Sequence, residues 1–133
     1  MFKILIIEKM ERLRSVYKEW FLRMQDRGIV IELVEDGHSC IAKLKGVYAY
    51  DMVVIDMGLT EFDAFATAKK LRKLGFKKPI IAHTTLGIAE AKEALINGVM
   101  DGFSIKSHEG KNLLNLLKLY ALCIEKRRKK PSK

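Results

Sequence analysis

The sequence predicts an open, doubly wound α/β fold: a five-stranded parallel sheet with helices on both faces. Two observations predict it. Short continuous apolar runs alternate five times with apolar residues at helical spacing, and no linker or low-complexity stretch interrupts the alternation. Such an alternation implies parallel strands joined by right-handed crossovers, which place helices on both faces of one sheet. The functional crevice of a sheet of this kind lies at the carboxyl ends of its strands.

The elements follow in order. Residues 3–8 (KILIIE) form a β-branched run that reads as a buried strand. Leu13, Val16, Tyr17, Trp20, Phe21 and Met24 then recur at helical spacing, and Gly28 ends that helix. A second strand is expected over 29–35, closed by Asp36-Gly37, and a short helix follows through Cys40, Ile41 and Leu44. The third strand, 51–56 (DMVVID), ends on a carboxylate. A helix carrying Phe65, Ala68, Leu71 and Leu74 comes next, with Asp63 as its N-cap. Pro79 opens a fourth strand over 80–84, a strand-start position that suits proline. An alanine-rich helix is expected over 88–97 and a fifth strand over 102–106. A long helix over about 109–128, capped by Ser107, closes the series.

At 133 residues, 49% of them hydrophobic, the chain is one domain that can bury a core without metal or disulfide staples. A mean hydropathy of −0.01 and that apolar share exclude a disordered chain. No apolar run nears the ~20 residues that span a bilayer, and the N-terminus lacks a signal-peptide layout. The expectation is a cytoplasmic protein with no membrane insertion. Cys40 and Cys123 stand apart, without CxxC spacing, and read as small buried hydrophobes rather than a disulfide.

The net charge of +9 is unevenly placed. Six basic residues fall in 126–133, where KRRKK precedes Lys133, which leaves +3 on the first 125 residues. The chain therefore divides into a domain over 1–126 and a basic tail over 127–133. The tail reads as a solvated helix end or the start of a linker ahead of any nucleic-acid or membrane contact. A second basic run, Lys69, Lys70, Arg72, Lys73, Lys77 and Lys78, closes the third helix, where the macrodipole favours cations.

The strand ends carry the chemistry. The first strand ends in Glu8-Lys9, the third in Asp56, the fourth in Thr84-Thr85 and the fifth in Lys106. Four polar ends converging on one sheet edge are poorly explained by packing. His83 reads as a packed strand histidine, and His38 and His108 as residues near helix starts.

With these residues in place, the chain resembles the receiver domains of two-component response regulators, a flavodoxin-like module seen alone in chemotaxis regulators. YDMVVIDMGLTEFDAF resembles the third strand and its loop, PIIAHTT the fourth strand, and DGFSIKS the fifth. Spacings of 48, 28 and 22 residues from Glu8 to Asp56, Thr84 and Lys106 in turn also suit the family. The resemblance implies strand order 2-1-3-4-5 and a sensor histidine kinase as partner. It makes Asp56 the phosphoacceptor, Thr84 and Lys106 its partners, and Phe103 a rotameric switch. It also implies Mg²⁺ held by Glu8, Asp56 and the Gly58 backbone, since that ion demands oxygen ligands. Phosphoryl transfer of this kind depends on positioning and on neutralising charge over the transferred oxygens. Any activity is confined to self-phosphorylation and self-dephosphorylation at Asp56.

The sequence departs from the family where the metal should sit. Lys9 stands in place of the second acid, which removes a carboxylate and adds a cation. Metal affinity is expected to fall, Mg²⁺-dependent phosphorylation to weaken, and Lys9 to pair with Asp56 in the ion's place. The alternative is that Lys9 turns to solvent while Glu8 and Asp56 still hold metal. Thr60, Glu61 and Ala64 replace a common proline and two glycines. Ser107 replaces a proline usually preceded by a cis bond, so a trans Lys106-Ser107 bond is expected, a cis one costing ~3–4 kcal/mol. The chain thus reads as an atypical, degenerate receiver acting through protein–protein contacts.

The last helix carries leucines over more than the ~100° stripe that one core contact requires. A homodimer or target contact is expected on the face of the fourth helix, fifth strand and last helix, through Leu114, Leu119 and Leu122. Two other readings stand: a fully competent phospho-aspartate switch, and a nucleic-acid-binding module using the tail.

Overall fold

A computed structural model describes residues 2–24, 28–44, 50–57, 64–84, 95, 98–105 and 111–119. Five strands form one sheet: β1 (Phe2–Ile7), β2 (Ile29–Val34), β3 (Met52–Asp56), β4 (Ile80–Thr84) and β5 (Gly102–Ile105). Every pairing is parallel and the order is β2-β1-β3-β4-β5, as the resemblance implied. The helices are α1 (Glu11–Met24), α2 (Gly37–Leu44) and α3 (Ala64–Lys73), with a further helix over 111–119.

The strands read as unbroken apolar runs because both faces of the sheet are covered. Ile4, Ile6, Met52, Val54 and Ile81 pack on one face against Tyr17 and Trp20 of α1 and Leu113 and Leu117 of the last helix. Leu5, Ile7, Val53, Ile55, Ile80 and Ala82 pack on the other against Cys40 and Ile41 of α2 and Ala64, Ala68 and Leu71 of α3. Alternation along the strands thus sorts their buried apolar residues into two cores. Burial pushes the Cys40 thiol up to about 12, so it behaves as the small hydrophobe expected.

The strands fall within one residue at either end of the expected runs, and β4 matches at both ends. The second helix starts earlier than its apolar spacing implied. Asp36 caps it, accepting the Ser39 N–H at 2.7 Å, and the bonds from Ser39 hold its carboxyl below the usual range. Gly75, at φ 95°, ends α3 in a Schellman motif: Phe76 N–H donates to Leu71 C=O and Gly75 N–H to Arg72 C=O, each at 3.0 Å. The expected helix over 88–97 is described only at Leu95, which is helical, and the caps Asp63 and Ser107 lie outside the described residues. So do the Lys106-Ser107 bond, Cys123 and the basic tail.

The leucines of the last helix are less exposed than their number implied. Leu113 and Leu117 are wholly buried, and Leu114 and Leu116 pack partly buried against the same core. Leu119 is 58% exposed, and Leu122 lies outside the described residues. Phe103 and Ile105 are exposed on the edge strand β5. Among the described residues, no helix is long and apolar enough to cross a membrane.

Candidate functional site

Six polar or charged residues are buried among those described, and five of them stand at the carboxyl end of the sheet: Glu8, Asp56, His83, Thr84 and Ser104. The strand register explains their grouping. Ile7 pairs with Ile55, so one step further places Glu8 beside Asp56. Asp56 pairs with His83, and His83 with Ser104. Side chains in register share a face of a sheet. A polar row therefore crosses β1, β3, β4 and β5 on the α1 side, capping the apolar rows of Ile6, Val54 and Ile81. Thr84 follows His83 at the last position of β4 and is 2% exposed.

Burying a carboxylate is unfavourable unless hydrogen bonds or cations meet it. Glu8 is 0% exposed. Its Oε2 accepts the Met10 backbone N–H at 3.1 Å, and its Oε1 lies 3.4 Å from the Tyr17 hydroxyl. Tyr17 reaches the row from α1 and also contacts His83 Nε2 at 3.1 Å. The Arg14 guanidinium donates to the backbone carbonyls of Glu8 and Lys9, each at 2.8 Å, and fixes the turn from β1 into α1.

Lys9 does not take the place of an ion. It is exposed and forms no ion pair with Asp56, which corrects the expected contact. Residue 9 lies past the end of β1, and the Arg14 clamp holds its backbone there. A hydrated ammonium at that position keeps its solvent instead of losing it beside two buried carboxylates. Among the other expected site residues, Glu8, Asp56 and Thr84 come together at the sheet edge. Phe103 sits on β5, 36% exposed, while Gly58 and Lys106 lie outside the described residues.

Tyr17 is the site residue that sequence reasoning missed. Its spacing matches Leu13, Val16 and Trp20, so it reads as one more apolar contact of α1. The available signal was the phenol itself, two turns into the helix that leaves the first polar strand end. His83 is a packed strand histidine as expected, 1% exposed, and it is joined to that phenol.

Glu8 and Asp56 offer oxygen donors of the type that a hard cation such as Mg²⁺ takes. They are fewer than a full acidic cluster: among the described residues, no group of three acidic, histidine or cysteine side chains is placed to hold a metal. Glu8 and Asp56 are the described residues whose oxygens would hold such an ion.

The model of the response regulator receiver domain matches residues 4–118. The chain belongs to that family. It is a receiver domain of the two-component type, the class that works with sensor histidine kinases. A two-component response regulator of Oryza sativa subsp. japonica, ORR41, is 25% identical over 80% of this chain and 84% of its own. The signal transduction histidine-protein kinase BarA of Escherichia coli K12 is 27% identical over 68% of this chain, which spans about a tenth of that protein. Among solved structures, the response regulator TrrA of Thermotoga maritima, in complex with Mg²⁺-BeF, superposes with a TM-score of 0.71 at 23% identity. That match covers 89% of this chain and 97% of TrrA.

Proposed function

We propose that this receiver accepts a phosphoryl group on Asp56, that its divalent-cation site is weakened by Lys9, and that it signals through protein–protein contacts. The observation that carries the reading is the buried pairing of Asp56 with Glu8 at the carboxyl edge of β1 and β3, beside an exposed Lys9. An Asp56 oxygen attacks the phosphorus of a phosphohistidine donor. The new P–O bond forms as the P–N bond breaks, and the electron pair returns to the imidazole nitrogen. A cation held by Glu8 and Asp56 would neutralise charge over the transferred oxygens. Thr84 and Lys106 are assigned as the hydroxyl and ammonium that contact the phosphoryl group. With Lys9 in place of an acid, the cation loses a charged ligand, so transfer proceeds at a metal concentration above the usual range.

The exposure of Lys9 favours a second reading, that Asp56 remains a fully competent switch. With the Lys9 side chain exposed to solvent, Lys9 does not fill the space for a cation. Phosphorylation by a small phosphodonor, followed by intact mass with and without Mg²⁺, separates the two. Partial modification of the wild type and none of Asp56→Asn is the expected result. Near-complete modification at millimolar Mg²⁺ supports the second reading, and equal modification of Asp56→Asn contradicts both.

The contact surface is assigned to β5 and the last helix, where Phe103, Ile105 and Leu119 are exposed. Light scattering at micromolar concentration, on the same samples, reports whether a second copy occupies it. A monomer there leaves a different protein as the partner. Nucleic-acid binding ranks last, because the described basic run ends α3 at the pole away from Asp56.

A further inference from the structure

Glu8 must be satisfied from the protein interior, and the route by which this happens is specific. A carboxylate only accepts hydrogen bonds, so the Tyr17 hydroxyl is the donor to Glu8 Oε1 at 3.4 Å. The Nε2-protonated tautomer of His83 would donate to the same phenol oxygen, 3.1 Å away. The Tyr17 ring is 0% exposed and packs against Trp20 at a centroid distance of 4.6 Å, which holds the hydroxyl at that place.

We propose that Tyr17, backed by His83, is a positioning residue that satisfies Glu8 from the interior and thereby lowers the affinity of the Glu8–Asp56 pair for a divalent cation. The inference rests on reading that pair as the metal side of a phosphoacceptor site, but its test does not use phosphorylation. The hydroxyl stabilises the cation-free carboxylate. A cation drawing on the same carboxylate weakens that hydrogen bond, so the donor and the cation oppose one another through linkage. Removing the hydroxyl raises the free energy of the cation-free protein more than that of the bound form. Affinity for the cation then rises.

The test is a Mn²⁺ titration in which free Mn²⁺ is read by electron paramagnetic resonance. Tyr17→Phe keeps the ring and is expected to bind Mn²⁺ about threefold to tenfold more tightly than the wild type. His83→Val, which removes the backing donor, shifts affinity in the same direction by less. In a Glu8→Gln background, Tyr17→Phe changes nothing. Mg²⁺ also raises the Tm of Tyr17→Phe by more than that of the wild type. Equal or weaker binding by both Tyr17→Phe and His83→Val, binding by neither the wild type nor the variants, or a gain that persists with Glu8→Gln overturns the proposal. Tighter binding with no phosphoryl group on Asp56 upholds it while contradicting the proposed function. Phosphorylation of Asp56 with unchanged Mn²⁺ affinity does the reverse.

Discussion

A carboxylate with no solvent contact needs a donor or a cation, and among the described residues Glu8 is met by the Met10 backbone N–H and the Tyr17 hydroxyl. Its neighbour Lys9 carries the nearest cation in sequence and stays in water, while a phenol from α1 reaches the carboxylate. On the proposed reading, Lys9 acts through what it replaces rather than through what it touches. Lys9→Ala removes no ion pair, so thermal or denaturant unfolding should shift stability by less than about 0.5 kcal/mol. A loss of several times that would show that the ammonium supports the site after all. Glu8, Asp56 and Thr84 were legible in the sequence because a polar residue at the end of an apolar strand has no packing reason to be there. Tyr17 was not legible, because helical spacing assigns a residue to a face without saying which strand residues that face meets. The Lys9–Asp56 pair was expected because Lys9 stands where the resemblance puts a metal-binding acid, and the desolvation that such a pair would require decides against it.

The strands form where short, mostly apolar runs occur, and α3 ends where a specific backbone feature stops it. The strands were legible to within one residue at either end, because burial on both faces removes any polar interruption. The start of α2 was less so, since it depends on the Asp36 cap rather than on apolar spacing. The end of α3 depends on Gly75, whose φ of 95° is one that L side chains rarely adopt. A Cβ built there meets nothing within 4 Å. Gly75→Ala therefore costs backbone strain alone, about 1–2 kcal/mol in denaturant unfolding, with phosphorylation unchanged. No loss of stability would mean that the turn relaxes to another conformation. Of the leucines expected on the outer face of the last helix, Leu119 is exposed and Leu114 is half-buried, because counting apolar positions does not show how wide a face the sheet offers. Leu113 and Leu117 enter the core, and Leu114 and Leu116 flank it.

For the whole molecule, the sheet separates two kinds of charge. The exposed lysines that close α3 (Lys69, Lys70 and Lys73) stand at one pole, and the buried carboxylates Glu8 and Asp56 stand at the other. The net charge of +9 therefore describes the surface and says little about the site. On the proposed reading, the site is governed by the number of oxygen ligands at the carboxyl edge of β1 and β3, opposed there by the interior donor Tyr17. The proposal is that this edge accepts a phosphoryl group with a weakened hold on metal, and that Lys9 is the cause. The most direct measurement is the Mg²⁺ dependence of Asp56 phosphorylation by a small phosphodonor, titrated for the wild type and for Lys9→Asp. The account predicts that Lys9→Asp half-saturates at about tenfold less Mg²⁺ than the wild type. Half-saturation of both proteins at the same Mg²⁺ concentration would contradict it.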